Sequence, residues 1–464
     1  MKSIKKVGSA LLALALCLGT FSGCSGTGAA SSQPAAASSA SQSAAASGTT
    51  STAGTAGSGN SIKIGVITYM SSTRAATMGF FQIGWETAAN EINAKGGIDG
   101  KKVEFVLGDP ANDASLVPQR LTDMKSKGCV AAIFAAGDDL APAAVEWANT
   151  NKFPIALESN TSTEITLKHY SKYAFNCGLN AWSFAKILAK AAVGDAKKKN
   201  FVFCGTDGAA TIDAEKLLLL EGKKIDPSFS ELNSYRVSSD DSQFSNIIST
   251  IASSKPDMVL QQGGGPTFVA FAKQGLMFNL FKVSDIYNDF VTDTSTNSGL
   301  AASGNFPYGN THGVFLLPFW DNSKMDTAMQ AFCKDYMDSQ ISKQNKYSAP
   351  SDAGLSCYRC AESIILGVQN CIKDGKDYKD SEVLTSAISS VNWSDSTGKH
   401  VFRPLDNQLT FDVYYGTSTK DGSEAYGGCP VAKDIKTYTA DQVLPTEDEM
   451  KSYAKTLGVT GRFN

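Results

Sequence analysis

Residues 62–107 read IKIGVITYMSSTRAATMGFFQIGWETAANEINAKGGIDGKKVEFVL. Ile62 to Ile67 has strand character. Phe81, Trp85, Ala88 and Ile92 then recur at the spacing of one helix face. Gly96-Gly97 closes that helix, and Val103 to Leu107 is a second strand. A strand, a crossover helix and a strand within 46 residues form a βαβ unit, which implies parallel pairing.

Working outward, the same alternation continues. Val117, Leu121 and Met124 mark a helix face, Val130 to Phe134 a strand, Val145 to Ala148 a helix and Pro154 to Leu157 a strand. After a strand-like Tyr173 to Cys177 the pattern repeats. Strands are expected at Phe201–Cys204, Leu232–Val237, Asp257–Leu260 and Val283–Tyr287, with helices at 182–192, 213–221, 244–251 and 267–276 between them. Two consecutive sets imply two α/β lobes. Val314 to Leu317, a helix from Met325 to Ile341, a long helix from Asp352 to Lys373 and weaker strands near Val401 and Leu409 follow. Open parallel sheets bind ligands beyond the carboxyl ends of their strands. Two lobes with facing edges therefore make a binding cleft.

The amino terminus is a processing segment. Lys2, Lys5 and Lys6 precede an apolar run from Val7 to Leu18, shorter than the about 20 residues that span a bilayer. Phe21-Ser22-Gly23-Cys24 then resembles a bacterial lipobox, with Phe where Leu is usual, so residues 1–24 are read as a lipoprotein signal peptide with Cys24 as the lipidation site. Residues 25–60 are almost wholly Ala, Ser, Gly and Thr, the composition of a disordered tether with a coil span of about 35 Å. The chain of 464 residues carries a formal charge of −3 and no basic block, so nucleic acid is not an expected partner.

Catalytic and metal motifs are missing from the sequence. There is no phosphate loop, no G-x-S-x-G and no H-E-x-x-H, and the three His are isolated. Cys357-Tyr-Arg-Cys360 has no strand before it and no second pair, and Cys357, Ala361, Ile364, Val368 and Cys371 form one apolar helix stripe. No enzyme activity, cofactor or metal is expected.

The segment EINAKGGIDGKK, Glu91 to Lys102, resembles the leucine/isoleucine/valine-type substrate-binding proteins of ABC transporters. Gln243-Phe244-Ser245 followed by Pro256-Asp257, and PSDAGLSCYRCAESIILGVQN at 350–370, are similar to later parts of that family, in the same order. The resemblance covers Ser61 to about Thr417. It implies two doubly wound parallel-sheet lobes joined by a three-crossing hinge, the type I periplasmic binding protein fold. The crossings are expected near Gly178, His312 and Val401, giving lobe 1 as 61–178 and 313–400 and lobe 2 as 179–312 and 401–464. It also implies capture of a small polar ligand, an amino acid or similar amine-bearing compound, for an ABC permease and ATPase, by a monomer; a ligand-sensing receptor domain, or a binder of amides, urea or aromatic acids, is the alternative, and the lipobox adds a lipid-anchored exported location.

The same resemblance suggests site residues, each with an alternative. Ser159 and Thr161 fall where the family holds the ligand's polar head, or they make the turn. Asp289 falls near the family's ammonium site, unless a one-residue gap puts Phe290 there. Asp138 and Asp139 stand where Ser is common, facing a cation or capping the next helix. Gly264 removes an aromatic wall, Met78 stands where Tyr is common, and Asp207 and Glu158 lie just past strand ends. Tyr69 closes the first strand and Arg74 is a carboxylate clamp or a solvated loop residue. Trp182 packs on ligand or on the helix core.

Overall fold

The computed structural model describes residues 61–464 apart from 72, 159–161, 239–240, 264, 289–293, 460–461 and 464. The segments read above as a signal peptide and a tether, with Cys24 between them, thus lie outside the described residues.

Lobe 1 alternates as the opening stretch requires. β1 (Ser61–Thr68), α1 (Met78–Ala94), β2 (Lys102–Gly108), α2 (Val117–Ser126), β3 (Cys129–Ala135), α3 (Ala141–Asn151), β4 (Ile155–Leu157), α4 (Glu164–Leu167) and β5 (Ala174–Asn176) follow in turn. The strands form one parallel sheet in the order β2-β1-β3-β4-β5. Burial on both faces explains why β1 is a nearly continuous apolar run. Ile62, Ile64 and Val66 point into one core with Trp85, while Ile67 joins Leu121 and Met124 in the other.

Lobe 2 comprises α5 (Ala181–Leu188), β6 (Asn200–Thr206), α6 (Ala209–Ile225), β7 (Ser230–Val237), α7 (Ser245–Ser254), β8 (Met258–Gln262), α8 (Pro266–Met277), β9 (Asp285–Asn288), α9 (Thr294–Ala302) and β10 (Thr311–Phe315). The chain then returns to lobe 1 with α10 (Thr327–Asp338), α11 (Gln340–Asn345), α12 (Asp352–Lys373), α13 (Ser381–Ser389) and the hairpin β11 (Asn392–Asp395)–β12 (Gly398–Val401). It ends in lobe 2 with β13 (Val413–Thr419), β14 (Val431–Tyr438), α14 (Ala440–Val443) and α15 (Glu447–Leu457).

The second sheet has the order β14-β13-β10-β9-β8-β6-β7. Its five strands from β6 to β10 are parallel, but β13 runs antiparallel to β10 and to β14. The expected parallel sheets are thus present, and β13 and β14 extend the second one with an antiparallel pair at one side. The helix expected over 325–341 is divided, because Ser339 adopts an extended backbone and caps α11 through Ser342 N–H.

In lobe 1, α12 packs along α1. A Cβ at Gly84 would lie 2.0 Å from the Gly354 carbonyl oxygen, so this approach requires glycine on α1. Cys357 and Cys360 are fully buried on the α12 face, and all eight described cysteines are free thiols.

Between the two sheets the chain crosses after Asn176 of β5, after Phe315 of β10 and before Val413 of β13. His312, expected at the second crossing, sits inside β10, and the strand continues to Phe315 before the chain leaves the sheet. Leu316 N–H then donates to Asp352 Oδ2 at 2.9 Å, which ties this crossing to the start of α12. The first and third crossings pair with one another. Asn176 N–H donates to Asn407 O at 2.9 Å and Leu409 N–H to Asn176 O at 2.8 Å. Between them Gln408 Oε1 accepts from Asn176 and Asn180 side chains at 2.8 and 2.9 Å, and its Nε2 donates to Gly178 O at 2.9 Å.

Candidate functional site

The carboxyl edges of the two sheets meet where the β4–α4 loop of lobe 1 faces the start of α6 in lobe 2. A cavity of about 600 Å³ lies there, lined by Thr163, Glu164 and Lys168 on one side and Asp207, Asp213 and Lys216 on the other. A larger groove, about 940 Å³, is lined by α1, α10 and Tyr358 and touches no residue of lobe 2. Size alone therefore does not mark the site. The strand-end position of the interlobe space does.

On lobe 1, Tyr69 leaves β1 and is buried. Its hydroxyl accepts from Gly137 N–H at 2.7 Å and from Arg74 Nη1 at 2.8 Å. Burial raises the phenol's pKa, and the Arg74 charge pulls it back. Tyr69 thus fixes the loop after β3. Arg74 also faces Asp139 at 3.4 Å, with both side chains partly in water. The N-cap position of α3 falls on Leu140, one residue past Asp139, and makes no side-chain cap bond. Pro142 in the first turn removes one N–H that a cap would satisfy.

Asp138 instead lies close enough to Glu158 to act on its charge. Glu158 is the first residue after β4, its N–H donates to Phe134 O at 3.0 Å, and its side chain is 6% exposed. Burial first, and then the Asp138 carboxylate, push the Glu158 carboxyl up to about 8. At neutral pH Glu158 is therefore mainly a neutral acid held between Asp138 and the buried thiols of α12. It can donate a hydrogen bond, or it can ionise against a cation brought into the cleft.

On lobe 2, Asp207 follows β6 and its N–H donates to Val237 O at 3.3 Å, which aims the residue into the interlobe cavity. Gln261 and Asn288, at the ends of β8 and β9, are fully buried. Gln261 Nε2 donates to Gly263 O at 3.0 Å, steadying the turn before position 264. Trp182 takes the helix-core role. Its ring packs edge-on to Tyr453 at 5.3 Å within a cluster that includes Leu217 and Met450. Ser159, Thr161, Gly264 and Asp289 lie outside the described residues.

The structure thus gathers Tyr69, Arg74, Asp138 and Glu158 on one edge and sets Asp207 on the other. Sequence reasoning passed over Asp213 and Gln408. Asp213 read as the first residue of an ordinary surface helix, and Gln408 lay in a stretch without periodicity. No local pattern marks either one, because their partners are 50 and 232 residues away.

The profile of the periplasmic binding protein family matches residues 61–423. The chain belongs to this family. No curated protein matches it in sequence. Among solved structures, a solute-binding protein of an ABC transporter from R. palustris in complex with 4-hydroxybenzoate is similar at 18% identity, over 82% of this chain and 97% of that one, with a TM-score of 0.69. A leucine-, isoleucine-, valine-, threonine- and alanine-binding protein from Brucella ovis in a closed conformation is similar at 16% identity, over 83% and 97%, with a TM-score of 0.71. A branched-chain amino-acid ABC transporter ligand-binding protein from Burkholderia xenovorans is similar at 19% identity, over 84% and 98%, with a TM-score of 0.68. At these identities the likeness is one of fold: two α/β lobes of the type I periplasmic binding protein. Among the described residues no helix is long and apolar enough to cross a membrane.

Proposed function

We propose that this binding protein captures a small amine-bearing solute, an amino acid or a similar compound, and delivers it to an ABC importer from a lipid anchor at Cys24. The observation that carries the reading is the acidic character of the strand ends. Glu158 and Asp138 stand together on lobe 1, and Asp207 faces the interlobe cavity from lobe 2. A cationic group placed there would relieve the Asp138–Glu158 repulsion and supply the partner that a buried carboxylate needs. Asp289, directly after β9, would meet the same ammonium, and Thr161 with Ser159 would hold a carboxylate by hydrogen bonds. Gly264 leaves room for a ligand larger than a plain aliphatic amino acid. The proposed lobes are 61–178 with 316–400, and 179–315 with 401–464, closing about the hinge at the Gln408 knot.

A second reading, an aromatic acid, draws on the 4-hydroxybenzoate bound by the R. palustris protein and on Arg74 beside Tyr69. A melting screen over amino acids, amides and small organic acids separates the two. Ligand at 100 times its dissociation constant stabilises the protein by about 2.7 kcal/mol. The amine reading expects the tightest binder to carry an amine and Asp289→Asn to weaken it strongly. A simple carboxylate as tightest binder would overturn it. Labelled fatty acid should mark the wild type and not Cys24→Ser.

A further inference from the structure

Asp213 lies on the second turn of α6 in lobe 2, and its side chain is buried. Its Oδ2 accepts from Thr163 N–H at 2.7 Å, from Thr163 Oγ1 at 3.0 Å and from Ser162 Oγ at 3.2 Å, all in lobe 1. Its Oδ1 accepts from Tyr453 Oη at 3.0 Å, on α15. One carboxylate of lobe 2 therefore takes donors from lobe 1 and from the C-terminal helix. Ser162 and Thr163 directly follow residues 159–161, and Thr163 leads into α4.

The C-terminal segment reinforces the same place. It lies beyond residue 423, where the family match ends. Met450, Tyr453 and Ala454 pack with Trp182 and Leu217 of lobe 2 and with Leu167 of α4 in lobe 1. Further on, Arg462 stacks its guanidinium over the Tyr170 ring at 3.6 Å and donates to Thr166 O at 3.3 Å. Both of those partners are in lobe 1.

We infer that Asp213 is a positioning residue that clasps the base of the 159–161 loop to lobe 2 and, through Tyr453, to the C-terminal helix. The inference rests on the proposal that this loop holds the ligand, and it adds how the loop is set. A ligand held by residues 159 and 161 would then gain from Ser162 and Thr163, which follow them, being already bonded to lobe 2, and this lowers the ordering cost of binding. Burial raises the pKa of Asp213, and the Thr163, Tyr453 and Ser162 donors only partly offset that. A buried group of this kind contributes geometry more than folding free energy.

Hydrogen exchange on the full chain without ligand tests the clasp and leaves the ligand question aside. Asp213→Ala removes the acceptor, and the Thr163 amide should exchange about tenfold faster or more, while β4 amides stay as in wild type. Asp213→Asn keeps an oxygen for Thr163 and Ser162, and its amide can donate to the Tyr453 hydroxyl, so exchange should remain within about twofold of wild type. Tyr453→Phe removes one donor and should loosen the C-terminal helix amides before Thr163. Thr163→Val keeps the backbone donor and serves if Asp213→Ala does not fold; it should raise Thr163 exchange by less than Asp213→Ala is expected to. Unchanged Thr163 exchange in Asp213→Ala would overturn the inference. So would equal loss in the Ala and Asn variants, or a uniform rise across all of lobe 1, which marks general destabilisation.

Discussion

At the hinge, Asn176, Asn180 and Gln408 carry the polar contacts between lobes. At the cleft edge the polar contacts are carried by Tyr69, Asp138 and Glu158 within lobe 1 and by Asp213 between the lobes. Both regions are buried and both join distant segments, yet the first uses neutral amides and the second uses acids. An amide donates and accepts without titrating, so the hinge keeps its pairing at any pH at which the fold survives. An acid at the cleft edge changes its hydrogen bonding and its charge with what stands beside it. The side-chain amides at the crossings do not titrate, although the Arg403–Asp406 ion pair stands beside them and Asp406 accepts from Gln408 N–H, whereas the cleft-edge acids respond to charge.

The largest effect is expected where that neutral knot is cut. Gln408→Ala strips the acceptor from Asn176 and Asn180 and the donor from Gly178 O, all of them buried. Orphaned buried polar groups cost about 1–3 kcal/mol each, with partial relief from water, so a loss of about 3 kcal/mol is expected. Urea unfolding should show it as a lower midpoint. A loss below about 1 kcal/mol would mean that the first and third crossings are held by their backbone pairing alone.

A smaller and pH-dependent effect belongs to Glu158. Its folded pKa, about 8, lies above its ordinary value of 4.5. The folded state therefore binds the proton more tightly, and this contribution is fully present below pH 4.5. It is lost as pH rises through 8, with a slope of at most about 1.4 kcal/mol per pH unit. Other carboxyls that burial raises, such as Glu362, act in the same window, so the difference between wild type and Glu158→Gln is the quantity to measure. The variant should gain on wild type from pH 5 to pH 8. A constant difference would show that Glu158 is solvated. With an amine-bearing ligand bound the slope should shrink, since the cation favours the ionised form.

The two regions also differ in how legible they were. Lobe 1 could be read from Ile62–Leu107 because a buried parallel sheet imposes apolar runs and helix stripes that repeat along the chain. The long helix at 352–373 was legible for the same reason, its stripe being a property of neighbouring residues. The tail was not. β13 and β14 carry polar residues on an edge of the second sheet, which weakens their pattern, and they reverse direction through local pairing. At the site, strand ends located Tyr69, Asp138, Glu158 and Asp207, since the topology alone puts them there. The role of each was hidden. That Tyr69 holds Gly137, that Asp138 acts on Glu158, and that Asp213 takes Thr163 are facts of distance between segments, and sequence spacing does not encode them.

The smallest effect sharpens the comparison from the exposed side of the same edge. Arg74 and Asp139 stand 3.4 Å apart, with 38% and 58% of their side chains in water. A pair so open is screened and pays side-chain entropy, so Asp139→Asn should change stability by no more than about 0.5 kcal/mol. The pair's consequence is instead positional. Arg74 also donates to Tyr69, whose hydroxyl holds Gly137 at the turn after β3. Releasing Arg74 from Asp139 leaves that bond in place, and the Gly137 amide should keep its exchange protection. Tyr69→Phe, by contrast, takes the acceptor from Gly137 N–H and should speed its exchange by about tenfold, with a loss of about 1 kcal/mol. If Asp139→Asn exposes Gly137 as much as Tyr69→Phe does, the surface ion pair orders the loop, and the distinction between charge that positions and charge that merely decorates this edge fails.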